Sequence, residues 1–250
     1  MEVISSSKNK IVQQLSEIKK NYSALFLEGE RLVQEAINFG CTPLMTFVQK
    51  DKLEYFSQKF PMLINDKTYI LTSPVFEKIC DTKTPQGIAV VVDFVLKKPF
   101  VPQGNFLVVE NVQDPGNLGT ILRCAKGTDF RDVFLINCVS VFNTKVVRSS
   151  MGGMFSTNIC QMTSTEEFLN FAQKNNLQLA VLTMNGQNIF AITKKPRNVG
   201  LVLGNEGNGV SRAMRNFAQN KWCVPMKHNL ESLNVSVCAG ICMFYLDNLA

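Results

Sequence analysis

The chain has 250 residues, of which 46% are hydrophobic and 18% are charged, and its formal net charge is +6. These proportions are typical of a folded globular protein. The apolar run from Val235 to Leu246 is too short to span a bilayer. The first residues lack the pattern of a signal or transit peptide. The sequence therefore predicts a cytoplasmic protein that does not bind a membrane.

The excess positive charge is spread along the chain. Residues 1–100 carry 13 basic and 11 acidic side chains, and residues 101–250 carry 13 and 9. Because there is no basic tail, any RNA contact must come from a folded face. The eight cysteines form no Cys-x-x-Cys pair and His228 is the single histidine, which argues against a zinc site and favours reduced, buried thiols. We expect no metal.

Residues 96–104 contain two prolines, a glycine and two lysines, and are typical of a linker. They separate a small α/β domain, residues 1–95, from a second domain, residues 105–250. The elements predicted in the first domain are a helix over Asn9–Lys20, a strand over Ala24–Leu27, a helix over Gly29–Phe39, strands over Leu44–Val48 and Lys67–Leu71, a helix over Ser73–Asp81 capped by Ser73, and a strand over Gly87–Phe94.

The second domain has strands that are more apolar. They are predicted at Asn105–Glu110, Asp132–Ile136, Gln178–Thr183, Val199–Leu203 and Trp222–Val224. Runs of Val, Ile and Leu with helices between them indicate a parallel sheet covered on both faces. In such a sheet the ligand crevice lies at the carboxyl ends of the strands, and the unusual loops of this half begin where predicted strands end.

The first unusual loop runs from Asn111 to Arg123. Its Asp-Pro-Gly turn puts Asn117 at the predicted N-cap of a helix, with Arg123 about a turn and a half inside it. Gly116 and Gly119 flank Asn117 and would let a substrate backbone come close. The alternative is an ordinary capped helix with a surface arginine.

Two further loops follow. In Gly204–Ser211 the glycine spacing does not match a dinucleotide or P-loop fingerprint, but Glu206 between glycines would be exposed to a ligand. In Pro225–Asn234 the last helix opens at Ser232 or Asn234. That loop can equally be an ordinary N-cap, in which case Cys238, Ile241, Cys242 and Tyr245 form the buried stripe of the helix.

Together, the three loops resemble the motifs of the SpoU/TrmH family of RNA ribose 2′-O-methyltransferases, a branch of the SPOUT class. The first motif, Asn-x-x-Asp-Pro-x-Asn-x-Gly-x-x-x-Arg, is complete from Asn111 to Arg123. The second corresponds to Leu203–Ser211, and the third to Pro225-Met226 followed by Glu231–Asn234. The resemblance covers residues 106–246 and implies a parallel sheet with a deep trefoil knot.

The resemblance also implies a methyl donor, S-adenosylmethionine, and a set of residues that hold it. These are Leu203, Gly204, Val224, Met226, Leu233, Thr183, Met184 and Asn185. It implies a catalytic set in which Arg123 is the base or the anchor of the target phosphate. In this set Asn117 and Glu206 would brace Arg123 and the ribose, and Ser232 and Asn234 would hold the loop and the donor. Because the pKa of arginine makes it a reluctant base, we favour phosphate anchoring.

The N-terminal region around Phe26–Arg31 resembles the family's substrate-binding domain, which is similar to RNA-binding ribosomal proteins. This implies RNA contacts by Lys10, Arg31 and Arg123, and favours ribosomal RNA over transfer RNA. The family further implies a homodimer in which one chain completes its neighbour's site.

The chain departs from the family at His228-Asn229, where small residues are usual, and this puts donor affinity in doubt. A transfer-RNA enzyme, a non-catalytic RNA-binding protein on the same fold and a nucleotide-dependent oxidoreductase are the alternatives. The last lacks the acidic ribose contact that it would need.

Overall fold

A computed structural model of the chain describes residues 3–228 and 231–250. Within those two ranges no helix is long and apolar enough to cross a membrane. The chain forms two compact units. The first consists of Met1–Val95 and Ser140–Phe155, and the second of Leu96–Val139 and Ser156–Ala250.

The helices and strands follow one another in a regular α/β order. Up to residue 95 they are β1 (Val3–Ile4), α1 (Lys10–Asn21), β2 (Leu25–Glu28), α2 (Glu30–Asn38), β3 (Pro43–Gln49), α3 (Leu53–Lys59), β4 (Thr68–Leu71), α4 (Ser73–Ile79) and β5 (Ile88–Val92). Beyond it they are β6 (Phe106–Glu110), α5 (Pro115–Lys126), β7 (Asp132–Ile136), α6 (Thr144–Ser150), β8 (Asn158–Met162), α7 (Thr165–Lys174), β9 (Gln178–Asn188), β10 (Val199–Leu203), α8 (Arg212–Phe217), β11 (Asn220–Cys223) and α9 (Val235–Asp247).

The first unit is built on a mixed sheet with strand order β1-β4-β3-β5-β2. Strand β5 runs antiparallel to both β2 and β3, and all five of its residues are buried. Helix α1 begins after Asn9, whose side chain accepts the N–H of Ile11 at 2.9 Å, and it buries Val12 and Leu15 against this core. Sequence patterns missed β1 and α3. The predicted cap Ser73 is wrong, because α4 starts at Ser73 and Thr72 occupies the cap position.

Helix α6 joins the first unit although it lies far along the chain. It packs against β2, where the carboxylate of Glu28 is 3% exposed. The Glu28 carboxylate accepts the backbone N–H groups of Asp81 at 2.9 Å and Thr82 at 3.1 Å. Arg148 of α6 places Nη1 3.5 Å from Glu28 Oε1 and 3.6 Å from Asp81 Oδ2. A buried carboxylate of the first unit is thus paired with a cation supplied about 120 residues later.

The second unit contains a sheet with strand order β11-β9-β10-β6-β7-β8, and its strand pairs are parallel. All residues of β6, β7 and β10 are buried, as expected for strands covered on both faces. Phe106, Phe134 and Phe168 lie in its core without exposure. The predicted α/β class and parallel sheet are confirmed, while the trefoil knot stays a prediction.

Three sequence-based details of the second unit are wrong. Strand β8 was missed because Asn158 and Gln161 interrupt its apolar pattern. Helix α5 begins at Pro115 with Asp114 as its N-cap, so Asn117 lies in the first turn and donates its own N–H to the Asp114 carboxylate at 2.9 Å. The buried stripe of α9 consists of Ser236, Ala239, Cys242, Met243 and Leu246, so only Cys242 of the predicted stripe is buried.

Candidate active site

A cavity of about 410 Å³ lies in the second unit at the carboxyl ends of β9, β10 and β11. Its walls come from residues 182–184 of β9, the Gly204–Ser211 loop, the loop that follows β11 and the first turn of α9. Crevices at this edge are where parallel sheets bind ligands. The cavity lies where the order of strands and loops predicted it.

The Gly204–Ser211 loop is a tight turn that closes on itself. The N–H of Asn205 donates to the Gly209 carbonyl at 3.0 Å, and the N–H of Gly209 donates back to the Asn205 carbonyl at 2.9 Å. A side chain at Gly204 would place its Cβ 2.2 Å from the backbone of Gly209 and Val210. Gly209 has φ +65°, a conformation that favours glycine. Glycine is therefore required at 204 by space and at 209 by conformation.

One chain of hydrogen bonds joins all three motif loops. The amide nitrogen of Asn234 donates to Asn117 Oδ1 at 2.9 Å, and the amide nitrogen of Asn117 donates to Glu206 Oε1 at 3.0 Å. These residues are 117 and 89 positions apart in sequence. We name this arrangement the Asn234–Asn117–Glu206 chain. Because each amide accepts on one side and donates on the other, the chain has a direction that ends on the carboxylate.

The chain starts at the N-terminus of α9. Asn234 is the N-cap of that helix, and its Oδ1 accepts the N–H groups of Ser236 at 2.9 Å and Val237 at 3.2 Å. Its side-chain oxygen is thus held by the helix, so its amide nitrogen is fixed toward Asn117. The positive end of the α9 dipole lies beside Asn234, where the hydrogen-bond chain begins, and the negative Glu206 carboxylate lies where it ends. This charge distribution favours the direction of the hydrogen bonds.

Glu206 is held in its charged form. Partial burial of its carboxylate raises its pKa, but hydrogen bonds from the Asn117 amide and from nearby backbone N–H groups outweigh this, and the net result is a pKa below the ordinary value. The N–H of Asp114 is one of these donors, 3.3 Å from Oε1. A fixed negative charge therefore stands at the wall of the cavity.

Most residues predicted to hold the methyl donor line this cavity. They are Leu203, Gly204, Val224, Met226, Leu233, Thr183 and Met184. Asn185, the remaining predicted residue, is not among the described residues that line the cavity. It lies one position further along β9 and is exposed. The walls at Leu203, Val224 and Leu233 are apolar, which suits a flat aromatic base.

Four of the five predicted catalytic residues lie at the cavity or are linked by hydrogen bonds to a residue that lines it, and the fifth, Arg123, lies outside it. Glu206 and Ser232 line the cavity, and Asn117 and Asn234 reach it through the Asn234–Asn117–Glu206 chain. Arg123 lies on α5, is exposed, and is not among the described residues that line the cavity. No hydrogen bond or ion pair of Arg123 is found within the described ranges. The structure therefore brings four of the five residues together and leaves the arginine outside.

The predicted RNA contacts of the first unit are both exposed. Lys10 is the first residue of α1, and Arg31 is in the first turn of α2. Arg31 also lines a depression together with Lys59 and Gln86. Both side chains are thus available to a ligand.

The departure from the family falls partly outside the described residues. Asn229 lies there, and His228 is exposed with φ 58°. A histidine in the left-handed region is strained compared with glycine, so this is a position where a small residue would fit better. The backbone at His228 thus has a left-handed conformation that glycine adopts more easily than histidine.

Sequence reasoning did not assign several of the residues that line the cavity, among them Arg215 and Cys238. Arg215 lies on α8, one turn after the Ser211 cap, and Cys238 lies on the first turn of α9. A basic residue just beyond a glycine-rich loop was a usable signal for Arg215. Cys238 was assigned to the helix core because its spacing from Cys242 is helical, and spacing alone does not separate a cavity wall from a core.

Comparison with known proteins agrees with this site. The model of the SpoU rRNA Methylase family matches residues 104–244, and the model of the MRM3-like substrate binding domain matches residues 9–90. The chain is 26% identical to the 23S rRNA (guanosine(2553)-2′-O)-methyltransferase RlmP of Bacillus subtilis, over 98% of this chain and 99% of that protein. It is 28% identical to an uncharacterized tRNA/rRNA methyltransferase of Synechocystis sp., over 96% and 92%.

The fold is also shared with a solved structure. An rRNA methyltransferase from Sinorhizobium meliloti superposes with a TM-score of 0.85 at 23% identity, covering 98% of this chain and 96% of that one. The family match spans more than half of the chain, so the chain belongs to the SpoU rRNA methylase family. The class predicted from the three motifs, an RNA methyltransferase that uses S-adenosylmethionine, is confirmed.

Proposed function

We propose that this protein methylates a ribose 2′-hydroxyl of ribosomal RNA at a site formed by its three motif loops. The observation that carries the proposal is the Asn234–Asn117–Glu206 chain, which joins one residue from each motif at the wall of a cavity. Three distant loops share one polar network, and its charged end stands where a ligand enters. A polar network with its charged end at a cavity is suited to hold a ligand for reaction, and it contributes little apolar packing.

The cavity suits S-adenosylmethionine. Its volume of about 410 Å³ falls in the range of small-molecule sites. Apolar walls at Leu203, Val224 and Leu233 offer a surface for the adenine ring, and the ionised Glu206 offers a counter-charge to a sulfonium. When bound, S-adenosylmethionine would supply an electrophilic methyl group to the ribose oxygen, with S-adenosylhomocysteine as the leaving group.

The residues of the chain contribute mainly by positioning. Asn117 is held from both sides, so its amide group is ready to orient a ribose at the cavity mouth. Ser232 lines the same cavity and would hold the loop against the donor. Arg123 would anchor the phosphate next to the target, since a guanidinium matches phosphate geometry and does not deprotonate readily. The proton of the hydroxyl passes to the surrounding charge network and solvent.

Ribosomal RNA is the proposed substrate, and the main support for it is the kind of domain that the first part of the chain matches. A match to a substrate-binding domain over residues 9–90 and a relative that acts on 23S rRNA both support it. Lys10 and Arg31, exposed on α1 and α2, would contact the RNA backbone there. We keep residues 1–95 as the substrate-binding domain, 96–104 as the linker and 105–250 as the methyltransferase domain, although Ser140–Phe155 of the latter belongs to the first compact unit.

A homodimer in the cytoplasm completes the proposal. Arg123 is outside the cavity lined by its own chain, so a second copy is the natural source of the guanidinium. Val237 and Phe244 of α9 are 50% and 46% exposed, and these two apolar side chains on one helix would offer a surface to a second copy.

The test is methyl transfer from radiolabelled S-adenosylmethionine to unmodified ribosomal RNA and, in parallel, to transfer RNA. We expect label on a ribose 2′-oxygen of ribosomal RNA. Arg123→Ala should abolish transfer and leave the dissociation constant of the donor unchanged. Arg131→Ala, an exposed arginine at the opposite end of the sheet, is the matched control and should behave as the wild type.

Each other outcome contradicts a stated part of the proposal. Label on a base excludes ribose methylation. Transfer to transfer RNA alone overturns the proposed substrate, and no transfer to either RNA pool overturns the activity. Equal loss from both arginine variants would exclude a specific role for Arg123.

A further inference from the structure

A fully buried carboxylate lies beneath the active-site loops. Glu110 is the last residue of β6 in the middle of the parallel sheet, and its exposure is 0%. Within the described residues it forms no ion pair. A buried charge without a counter-charge costs stability compared with an apolar residue of similar volume. Packing therefore does not explain a glutamate here.

The contacts of Glu110 lead to the glycine-rich loop. Its Oε2 accepts the backbone N–H of Ser211 at 2.8 Å, and its Oε1 accepts the hydroxyl of Thr165 at 2.6 Å. Ser211 is the N-cap of α8 and Thr165 is the first residue of α7. The carboxylate thus lies where two helices begin, and the positive ends of their dipoles favour its charge. Its charge is used to hold backbone in place.

The other end of the same loop is held by the next residue of the chain. The carbonyl of Asn111 accepts the side-chain amide of Asn205 at 2.9 Å. The Oδ1 of Asn205 in turn accepts the N–H groups of Gly207 and Asn208, each at 3.0 Å. Two consecutive residues at the end of β6 therefore hold both ends of the Gly204–Ser211 loop.

This loop forms a wall of the donor cavity and carries Glu206. From these contacts we propose that Glu110 is a positioning residue: its buried carboxylate fixes the Gly204–Ser211 loop, and so sets both the donor cavity and the place of Glu206 against Asn117. The role in catalysis rests on the function proposed for Glu206. The role in donor binding depends only on the loop as a wall of the cavity.

The test compares two isosteric changes at opposite ends of the sheet. Glu110→Gln removes one acceptor and the charge at the active-site end. Asp132→Asn makes the same change at the amino end of β7, where a buried aspartate accepts the N–H of Gln103 at 3.0 Å and the amide of Asn158 at 2.8 Å. Both should lower the melting temperature by a few degrees. Only Glu110→Gln should lower kcat, by about tenfold or more, and weaken donor binding.

A double-mutant cycle shows whether Glu110 acts through Glu206. If it does, Glu110→Gln adds little further loss of kcat to a Glu206→Ala variant. Fully multiplicative losses overturn that part of the proposal. If Glu206→Ala itself keeps full kcat, the function proposed for Glu206 fails, and the donor dissociation constant of Glu110→Gln still decides whether Glu110 fixes the loop.

The proposal is overturned if Glu110→Gln has wild-type kcat and donor affinity while its melting temperature falls like that of Asp132→Asn. Should Glu110→Gln not fold, Thr165→Val removes one donor and keeps the carboxylate. We then expect a smaller loss of the same kind, and unchanged kinetics in a folded Thr165→Val would assign Glu110 to folding alone.

Discussion

Two polar networks of this molecule are built on opposite principles. The Asn234–Asn117–Glu206 chain in the second unit consists of two amides and one carboxylate close to solvent. The network around Glu28 in the first unit buries a carboxylate and pairs it with Arg148. Glu206 of the chain lines a cavity, whereas the Glu28 carboxylate is almost fully buried. Their difference separates a site arranged for a ligand from a cluster arranged to hold elements together.

The two networks also differ in how far the sequence predicts them. Asn117, Glu206 and Asn234 stand in loops with unusual glycine, proline and asparagine content, and local composition singles them out. Glu28 and Arg148 stand in ordinary strand and helix patterns about 120 residues apart. Nothing local marks such a pair, because its partners meet only when α6 packs against β2.

Among the variants that compare the two networks, the largest effect is expected from Glu206→Ala. It removes the acceptor at the end of the chain and leaves the Asn117 amide held on one side only, so kcat for methyl transfer should fall about a hundredfold while the melting temperature changes little. Steady-state kinetics and a thermal melt measure both. Glu166→Ala, an exposed carboxylate in the first turn of α7, is the control. A large loss of stability with unchanged kcat would show that the Asn234–Asn117–Glu206 chain, like the Glu28 network, serves to stabilise the fold.

Arg148→Met should show the opposite pattern. It leaves the Glu28 carboxylate buried without its cation and should lower the free energy of unfolding by about 2–3 kcal/mol, less than for a fully buried pair, because the arginine is 31% exposed. Urea denaturation measures it, with exposed Lys67→Met as the control. Donor affinity should not change. A variant as stable as the wild type would show that the ion pair contributes nothing.

Acid titration sharpens the comparison further. The pKa of Glu206 lies below its ordinary value, so its stabilising contacts are complete above that ordinary value and are lost as the pH falls through the lowered one. Asn117→Ala removes the strongest of the hydrogen bonds that lower the pKa, so the pKa should rise and the acid limb of donor binding should move to higher pH. Carboxyl carbon NMR measures this. No shift would mean that Asn117 does not hold the charge of Glu206.

The smallest effect is expected at His228. Its φ of 58° is costly for a side chain and free for glycine, so His228→Gly should tighten donor binding by about twofold through a loop that is less strained. Asn176→Gly, at φ 53° after α7, relaxes the backbone away from the cavity and should leave donor affinity alone. Equal affinity in wild type and His228→Gly would show that this departure from the family has no consequence for the donor.

The sequence predicted the parallel sheet, the order of the motif loops and most of the residues assigned to the methyl donor, because all of these follow from apolar periodicity and from dense local motifs. It misplaced the start of α5, since Asp114 and Asn117 are both good caps and only the folded turn selects Asp114. It missed β8, whose apolar pattern is interrupted, and Glu110, whose meaning depends on contacts with Thr165 and Ser211. Those contacts join residues 55 and 101 positions away.

The central claim is that the three loops act as one unit through the Asn234–Asn117–Glu206 chain. The most direct test is a double-mutant cycle on kcat for ribose methylation with Asn117→Ala, Glu206→Ala and the double variant. If the residues act as one unit, the double variant is no slower than the slower single variant. A double variant slowed by the product of the two single factors would contradict the claim.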